Sequence, residues 1–380
     1  MKKILHICNS SFYLKNFLQS HINDLIKNNY EVHVICNMDN KKLKFNKRIK
    51  LHDVKFPQSF SPISFLKSII EVNKIVRKFN FNCVISHNRN SSVVGRIATY
   101  FSKVSLNVYF AHGFYFHDDQ NFISFYLSVQ IERFLQKITT YTLSQSKEDM
   151  ELMIKKNYIS KKKIIHVGNG IDNLKFKYLG NKIKLKKKIG LSNNSFVIAG
   201  VGRLVKGKGF QDLIEAFYKI NKKHKNCYLL IIGGVLSHDI SKYEKKIIDR
   251  IKKLKIEKKV ILTGMIDNVY EYLNCSDIYV LSSFREGVSR SMLEAMSCKI
   301  PVISTKIRGS REIIKNLKNG ILYEKSDISQ LEYEILRLKN NKKLAKKISS
   351  KAYNDVKNFY TENLYNIRIS KIINKLIKCL

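Results

Sequence analysis

The 380-residue chain has no tryptophan, only 3 prolines, and 30 acidic residues against 70 lysines and arginines. It also lacks a run of ~18 consecutive apolar residues, so a membrane-spanning helix is not expected. Its 44% hydrophobic and 11% aromatic content is that of a globular protein and excludes a disordered one. At roughly 100–200 residues per domain, the length predicts two domains.

The seven cysteines are odd in number, widely spaced and never arranged as Cys-x-x-Cys. Most of them lie in apolar, strand-like runs, which is typical of reduced, buried cysteine and argues against a disulfide framework or a zinc site. The basic N-terminus is followed by His6 and Asn9, which interrupt the apolar stretch that a signal peptide needs. We therefore expect a first β-strand at this end and a cytoplasmic protein, at most attached to a membrane.

The excess of positive charge amounts to a formal +40 and is not concentrated in one segment. Residues 1–180 hold 28 basic and 12 acidic side chains, and residues 181–380 hold 42 and 18. A nucleic acid or an anionic membrane as partner is one explanation of such an excess. A general bias toward lysine, with most lysines on solvated faces, is the other. Composition alone leaves both open.

Short β-branched or aliphatic runs alternate with segments of helical periodicity along most of the chain. The predicted strands of the first half are Ile4–Cys8, Glu31–Cys36, Cys83–Ser86, Leu106–Ala111, Thr139–Leu143 and Ile164–Val167, with helices over Phe12–Lys27, Ile63–Phe79 and Phe122–Gln136. Those of the second half are Phe196–Val201, Tyr228–Ile232, Val260–Thr263, Ile278–Leu281 and Pro301–Ser304. Repeated βα units predict parallel sheets covered by helices on both faces. A Gly- and Asn-rich pause predicts a hinge at about 170–190, and residues 344–380 are predicted to be helical.

A glycine-rich segment, residues 202–209 (GRLVKGKG), follows a predicted strand and precedes a helix that starts at Phe210. It is close to the phosphate-binding pattern G-x-x-x-x-G-K-[ST], but Gly209 provides no hydroxyl for Mg²⁺, which argues against an NTPase. The free N–H groups and the dipole of the following helix, with Arg203 and Lys208 nearby, favour an anion site. A tight turn with incidental charge is the alternative.

A second segment, residues 284–296 (FREGVSRSMLEAM), follows another predicted strand, turns at Gly287 and opens a helix for which Ser289 is a suitable N-cap. It places Glu286 before the turn and Glu294 inside the helix. A second anion site beside the first is what a diphosphate would need. Two surface carboxylates on an amphipathic helix are the alternative.

These segments resemble the retaining glycosyltransferases of family 4, which use nucleotide sugars. The resemblance includes the Glu286-x7-Glu294 pattern with the following residues through Thr305, and residues 169–172, 262–264 and 275–281. In the first half, Gly95-Arg96 and residues 111–117 (AHGFYFH) look like members that assemble bacterial surface polysaccharides. The resemblance implies an α/β protein with the GT-B fold, in which two Rossmann-like, doubly wound parallel-sheet domains face a cleft. It implies an acceptor-binding domain at 1–178, a nucleotide-sugar-binding domain at 179–358, and a helix at 359–380 that returns to the first domain.

The same resemblance implies a role for each matching residue. Arg203 and Lys208 would hold the donor diphosphate, and Glu294 would bind the ribose hydroxyls. Glu286 and the backbone of Gly287, Val288 and Ser289 would meet the sugar hydroxyls, and His112 would lie near the reacting sugar. Cations that neutralise a leaving diphosphate and carboxylates that accept hydroxyl protons fit this chemistry.

The implied function is retaining transfer of a hexose or N-acetylhexosamine from a nucleotide sugar, with UDP as the first choice, to a lipid-linked glycan. The site would lie at the inner face of a bacterial membrane, with peripheral contact to anionic lipid. A basic nucleic-acid-binding protein and a non-catalytic scaffold of the same fold are the alternatives. No nucleic-acid motif supports the first, and the intact basic and acidic residues argue against the second.

Several polar residues outside these segments are expected to have structural or acceptor-binding roles. Asp118 and Asp119 form no D-x-D pattern and have no clustered His or Cys nearby, so neither a metal nor another cofactor is expected. Residues 87–90 (HNRN) end a strand and could meet an acceptor or form a solvated turn. His6, His33 and His52 are read as structural. Residues 9–12 (NSSF) replace the glycine-rich turn of many family members, and Val288-Ser289 replaces their Gly-x-Pro.

Overall fold

The computed structural model describes residues 1–39, 43–57, 61–114, 121–235 and 242–379. They form two compact units. The first comprises residues Met1–Gly168 together with Asn363–Leu380, and the second comprises Asn169–Glu362. The division therefore falls at Gly168 and Asn169, ahead of the position 178 inferred from the sequence. Ile171 explains the difference, because its N–H bonds to the carbonyl of Tyr360 and its side chain lies in the core of the second unit.

The first unit is built on a seven-stranded parallel sheet with the order β3-β2-β1-β4-β5-β6-β7. Its strands are β1 (Lys3–Ser10), β2 (Glu31–Asn37), β3 (Lys50–Asp53), β4 (Cys83–His87), β5 (Leu106–Ala111), β6 (Tyr141–Ser144) and β7 (Ile164–His166). In register, Ile4 pairs with Val32 on one side and with Cys83 on the other. The central strands are apolar and buried on both faces, as a sheet covered on both sides requires.

The helices of the first unit cover the two faces of this sheet. They are α1 (Ser11–Tyr13), α2 (Gln19–Lys27), α3 (Pro62–Phe79), α4 (Arg89–Phe101), α5 (Phe122–Lys137) and α6 (Lys147–Lys155). A π-helical turn over Leu14–Leu18 joins α1 to α2. The sequence predicts one continuous helix here, and the structure instead inserts this wider turn between α1 and α2.

The second unit has a six-stranded parallel sheet with the order β10-β9-β8-β11-β12-β13. Its strands are β8 (Phe196–Val201), β9 (Cys227–Ile232), β10 (Val260–Leu262), β11 (Ile278–Leu281), β12 (Val302–Thr305) and β13 (Ile321–Tyr323). Its helices are α7 (Lys182–Lys188), α8 (Phe210–Lys223), α9 (Lys242–Lys253), α10 (Val269–Asn274), α11 (Arg290–Ser297), α12 (Arg308–Ile313), α13 (Ile328–Asn340) and α14 (Lys342–Phe359). Two apolar clusters, one on each face of the sheet, form its core.

The final helix, α15 (Glu362–Lys378), packs on the first unit. Its buried side chains Ile369, Ile373 and Ile377 join a cluster that contains Ile22 and Leu25 of α2. Hydrogen bonds reinforce the contact, because the Asn366 amide donates to the Ser20 hydroxyl at 2.9 Å. None of the described helices is long and apolar enough to cross a membrane.

Candidate functional site

Neighbouring strands β8 and β11 mark the point in the second sheet where the strand order reverses. From β8 the chain continues to β9 on one side, and from β11 it continues to β12 on the other. The two following loops therefore diverge, and a crevice forms at the carboxyl ends of the strands, where α/β sheets bind their ligands. The two segments singled out in the sequence, 202–209 and 284–296, follow these two strands.

The loop after β8 ends in a turn that only glycine can make. Gly209 has a φ of 63°, and a Cβ there would lie 2.0 Å from the carbonyl oxygen of Ser282 in the loop after β11. The Phe284 N–H also donates to the Gly207 carbonyl at 2.9 Å. The glycines therefore let the two loops touch through their backbones, and α8 begins at Phe210 as the sequence predicts.

Lys208 and Glu286, one from each loop, form an ion pair at the centre of this site. The Lys208 Nζ donates to Glu286 Oε1 at 2.5 Å, and both side chains are half-buried. The Ser283 hydroxyl donates to the same oxygen at 2.8 Å. A lysine ammonium has three donors, so Lys208 can keep this contact and still donate to the oxygens of a phosphate.

The turn at Gly287, Val288 and Ser289 leads into α11, which confirms the predicted helix and its N-cap. The Ser289 hydroxyl accepts from the Met292 N–H at 3.4 Å. Val288 is buried, and its carbonyl accepts from the side-chain amide of the buried Asn169 at 2.9 Å. Behind the turn, a Cβ at Gly309 would lie 1.6 Å from the Gly287 carbonyl oxygen. The turn is thus held from both sides with its backbone in one position.

Glu294 lies inside α11 and is not a fully solvated carboxylate. Burial raises the pKa of this carboxyl above its usual value, while Arg290 and Lys175 act in the opposite direction. A partly desolvated carboxylate is a strong acceptor for paired hydroxyl groups. Arg203, in contrast, lies on the exposed side of the loop after β8. The structure thus brings Lys208 and Glu286 into direct contact and puts Arg203 and Glu294 on the same two loop-helix segments.

His112 belongs to the first unit, where it ends a line of histidines that the sequence did not reveal. His87 Nδ1 is 3.2 Å from His112 Nε2, and His6 Nδ1 is 3.0 Å from His87 Nε2. The Tyr13 hydroxyl contacts the same His112 nitrogen at 2.5 Å. His6 and His87 are fully buried, and burial holds the pKa of each well below its usual value. These two rings are therefore neutral at pH 7, and each offers one donor and one acceptor.

His112 directly follows β5, and its contacts come from His87 at the end of β4 and Tyr13 of α1, at the point where the order of the first sheet reverses between β1 and β4. The Asn9 N–H donates to the Asn88 side chain at 3.2 Å, and the Asn9 side chain accepts from the Ser91 N–H at 3.2 Å. The Asn9 side chain, in the segment that replaces the glycine-rich turn of many family members, thus fastens the end of β1 to the start of α4.

Part of the predicted set lies outside the described residues. Residues 115–117 of the family-like segment and the acidic pair Asp118 and Asp119 fall in this category. Within the described ranges, no group of three or more His, Cys, Asp or Glu side chains could hold a metal ion. The seven cysteines are free thiols, and six of them are buried, as the sequence predicts.

Two family descriptions match the chain, one for each sheet. "Glycosyl transferases group 1" matches residues 181–355, and "Glycosyl transferase 4-like" matches residues 3–167. The chain is a glycosyltransferase, with a 4-like domain followed by a group 1 domain. The resemblance stated from the sequence is therefore confirmed, and so is the GT-B fold class with its two Rossmann-like sheets.

Relatives of this glycosyltransferase include enzymes of bacterial surface-polysaccharide assembly. It is 29% identical over 327 residues to an Escherichia coli UDP-Gal:alpha-D-GlcNAc-diphosphoundecaprenol alpha-1,3-galactosyltransferase, covering 84% of this chain and 83% of that protein. It is 26% identical over 383 residues to the Staphylococcus aureus capsular polysaccharide biosynthesis glycosyltransferase CapM, covering 99% and 98%. The structure of Anabaena Alr3699/HepE in complex with UDP and glucose has the same fold, with a TM-score of 0.82 at 20% identity, and covers 98% of this chain and 100% of that one.

Sequence reasoning missed Asn169 as a residue that positions the Val288 turn, and it missed the His6 and His87 partners of His112. Asn169 was visible only as part of a family-like segment at the end of the first domain. The histidine contact joins residues 81 positions apart. The one available signal was that His6 lies within one predicted strand and His87 directly follows another, and that both are central strands, which lie side by side in a doubly wound sheet.

Proposed function

We propose that this glycosyltransferase transfers a hexose or N-acetylhexosamine from a UDP-sugar to a lipid-linked glycan with retention at the anomeric carbon. The observation that carries the proposal is the meeting of the two loops at the β8 and β11 switch point, with Lys208 and Glu286 in contact. A cation, the N-terminus of α8 and carboxylates in one crevice suit a nucleotide diphosphate joined to a sugar.

In this proposal, each polar group of the second unit binds one part of the donor. Lys208 and Arg203 bind the diphosphate and neutralise the charge that develops as it leaves. Glu294 accepts from the ribose hydroxyls. Glu286 and the backbone N–H groups of residues 287–289 bind the hydroxyls of the transferred sugar.

The chemical step is a displacement on one face of the sugar. The bond between the anomeric carbon and the β-phosphate oxygen breaks, the acceptor oxygen bonds to the same carbon, and the acceptor proton passes to the departing phosphate oxygen. No carboxylate has to act as a base, so stabilisation of the diphosphate supplies most of the rate enhancement. The α-1,3 linkage in the name of the E. coli relative supports retention, because the anomeric bond of UDP-galactose is ordinarily α.

The acceptor side of the proposal rests on the first unit and on the relatives. The names of the E. coli relative and of a Campylobacter jejuni relative, 31% identical over 57% of this chain and 55% of that protein, both specify a diphosphoundecaprenol-linked acceptor. We place His112 close to the reacting sugar and the enzyme at the inner face of a bacterial membrane. Metal and other cofactors have no part in this route.

Donor binding is tested with variants of the two loops. Lys208→Ala and Glu294→Ala should each lower kcat/KM for the donor by about a hundredfold or more, because each removes a charge-assisted contact. Lys206→Ala, an exposed lysine of the same loop, is the matched control and should stay within about twofold of wild type. Turnover by Lys208→Ala at the wild-type rate would contradict the site.

The nucleotide and the rival functions are separated by thermal unfolding with a panel of nucleotide sugars. A ligand at 100 times its Kd adds about 2.7 kcal/mol of stability, so the UDP-sugar used as donor should raise Tm measurably, with and without EDTA. Salt-sensitive binding of random DNA without any response to UDP would favour the nucleic-acid function instead. UDP binding without transfer to any lipid-linked acceptor would favour the scaffold.

A further inference from the structure

Helix α5 exposes several large apolar side chains to solvent. Phe122 is 82% exposed and Ile123 is 71% exposed, which is unusual for large hydrophobic side chains on one helix of a folded protein. The exposed apolar residues of this helix, called here the α5 face, are Phe122, Ile123, Tyr126, Leu127, Ile131 and Phe134.

The inward side of α5 combines buried Val129 and Leu135 with a hydrogen-bonded polar network. Buried Glu132 accepts two hydrogen bonds from the guanidinium of buried Arg96, at 2.9 and 3.1 Å, and Gln136 donates to Glu132 at 2.6 Å. The Arg96 guanidinium also lies 4.1 Å from the centre of the Tyr109 ring. Rotation of α5 to bury its apolar face would leave these charges unpaired at a high free-energy cost. The α5 face is therefore held outward by the core.

Helix α3 adds to this apolar surface. Its residues Ile63, Leu66 and Ile70 are exposed, and α4 packs against both α3 and α5, so the three helices cover one face of the sheet. A helix that precedes a parallel strand starts at the carboxyl edge of the sheet. The first turns of α3 and α5 thus lie at the same edge, and both are apolar.

The rim of the α5 face is basic. The helix carries exposed Arg133 and Lys137, and its single acidic residue is the buried Glu132. At its C-terminal end, Lys103, Lys137 and Lys163 line one open groove together with Tyr100. A second copy of the chain seated here would bring like charges together. An anionic surface would neutralise them.

We propose that the α5 face docks on an anionic lipid bilayer. The apolar side chains enter the boundary between headgroups and acyl chains, and the lysines of the groove meet the lipid phosphates. The inference deepens the proposed function, since a lipid-linked acceptor lies in such a bilayer, and it assigns the contact to one surface rather than to the overall charge.

The apolar part is tested by flotation of the full-length protein with vesicles of equimolar phosphatidylcholine and phosphatidylglycerol. The double variant Phe122→Glu with Ile123→Glu should lose vesicle affinity by about tenfold or more, because it removes two buried apolar groups from the interface. The matched control is Leu174→Glu with Ile183→Glu, which changes two exposed apolar residues of the second unit. The control should bind like wild type.

The basic part is tested with two double variants that change the net charge by the same amount. Lys103→Glu with Lys137→Glu should weaken binding by about fivefold or more per residue. The same change at the exposed Lys252 and Lys253 of α9 should have little effect. Equal losses in the two pairs would overturn the basic groove and assign attraction to the total charge.

Three outcomes overturn the proposal: wild-type vesicle affinity in the α5 double variant, an equal loss in its control, or no vesicle binding by wild type. A wild-type dimer that becomes a monomer in the α5 variant, without vesicle binding, would make the face an interface between copies. Thermal stabilisation by the donor should be unchanged in the α5 variant. Failure of membrane docking is thereby distinguished from failure of the proposed donor site.

Discussion

Burial decides the ionisation of the histidines at the centre of the first unit. His21 of α2 lies beside His6, with 5.6 Å between ring centroids, and burial lowers its pKa to about 4 although Asp24 acts in the opposite direction. His6 and His87 are shifted in the same direction. Each of these rings must be neutral in the folded state, whereas in the unfolded chain each gains a proton near its usual pKa of 6.5.

The first unit should therefore lose stability on acidification. The unfolded state binds more protons than the folded state between pH 6.5 and about 4, so the free energy of unfolding falls as pH falls through this window. His21→Leu should remove about 2 kcal/mol of the loss between pH 7 and pH 5. Urea unfolding followed by circular dichroism at the two pH values measures it.

Leu25→Ala, a fully buried change on the same helix, is the control for this experiment. It should lower stability by a similar amount at both pH values, since it removes packing and no titratable group. An unchanged pH dependence in His21→Leu would show that His21 is not the titrating group.

Single residues were predictable from the sequence where their role is local. Ser289 caps α11, and Gly209 opens α8, because capping and tight turns depend on neighbours in the chain. The contact of His6 with His87 and the bond from Asn169 to Val288 join distant segments. Such contacts depend on the order of strands in the sheet, which a local pattern does not contain.

At the scale of elements, the last two of the three glycines in the loop after β8 have different roles. Gly209 has a positive φ and faces the Ser282 backbone, whereas a Cβ at Gly207 would meet no atom within 4 Å. The pattern G-x-x-x-x-G-K would make Gly207 the more important of these two glycines. The structure makes Gly209 the residue that joins the two loops.

Gly209→Ala should consequently abolish donor binding, because the two loops must separate to admit the methyl group. Gly207→Ala should keep donor affinity within about threefold of wild type, since its methyl group has space. Isothermal titration with UDP on both variants measures the difference. Equal loss in both would show that the loop acts through flexibility rather than through contact.

Elements with a strong apolar pattern were predicted well, and weak ones were missed. β8, β5 and β11 have the predicted bounds. β3 (KLHD) has no apolar run, and β13 (ILY) is apolar but only three residues long, too short to show a periodic pattern. Each forms because a neighbouring strand offers its free edge, which is a property of the sheet.

At the scale of the whole molecule, the chain leaves the first unit at Gly168 and returns to it at Asn363. The returning helix α15 is a structural part of the first core. The Ser370 hydroxyl bonds to the Asp24 carboxylate at 2.5 Å, and the Arg368 guanidinium donates to the Val167 carbonyl at 2.8 Å. The sequence predicted a helix here, and only the resemblance to the family implied where it packs.

The helix should therefore stabilise a unit that begins more than three hundred residues earlier. Ile373→Ala should lower the free energy of unfolding of the first unit by about 2–5 kcal/mol, because Ile373 is only 2% exposed. Ile367→Ala, on the same helix but 41% exposed, should cost less than about 1 kcal/mol. Hydrogen exchange of the amides in β1 and β4 measures the stability of the first unit directly. Equal protection of these amides in the two variants would contradict the prediction.

The two-part composition of the first unit also sets the order of events on the ribosome. Domains ordinarily fold from the N-terminus as they are synthesised. Here the second unit has all its residues once Glu362 has been added, while the first unit still lacks residues 363–380. The apolar surface of α2 that α15 covers therefore stays exposed while the whole second unit is synthesised. The half of the protein that is made first is therefore the half that is finished last.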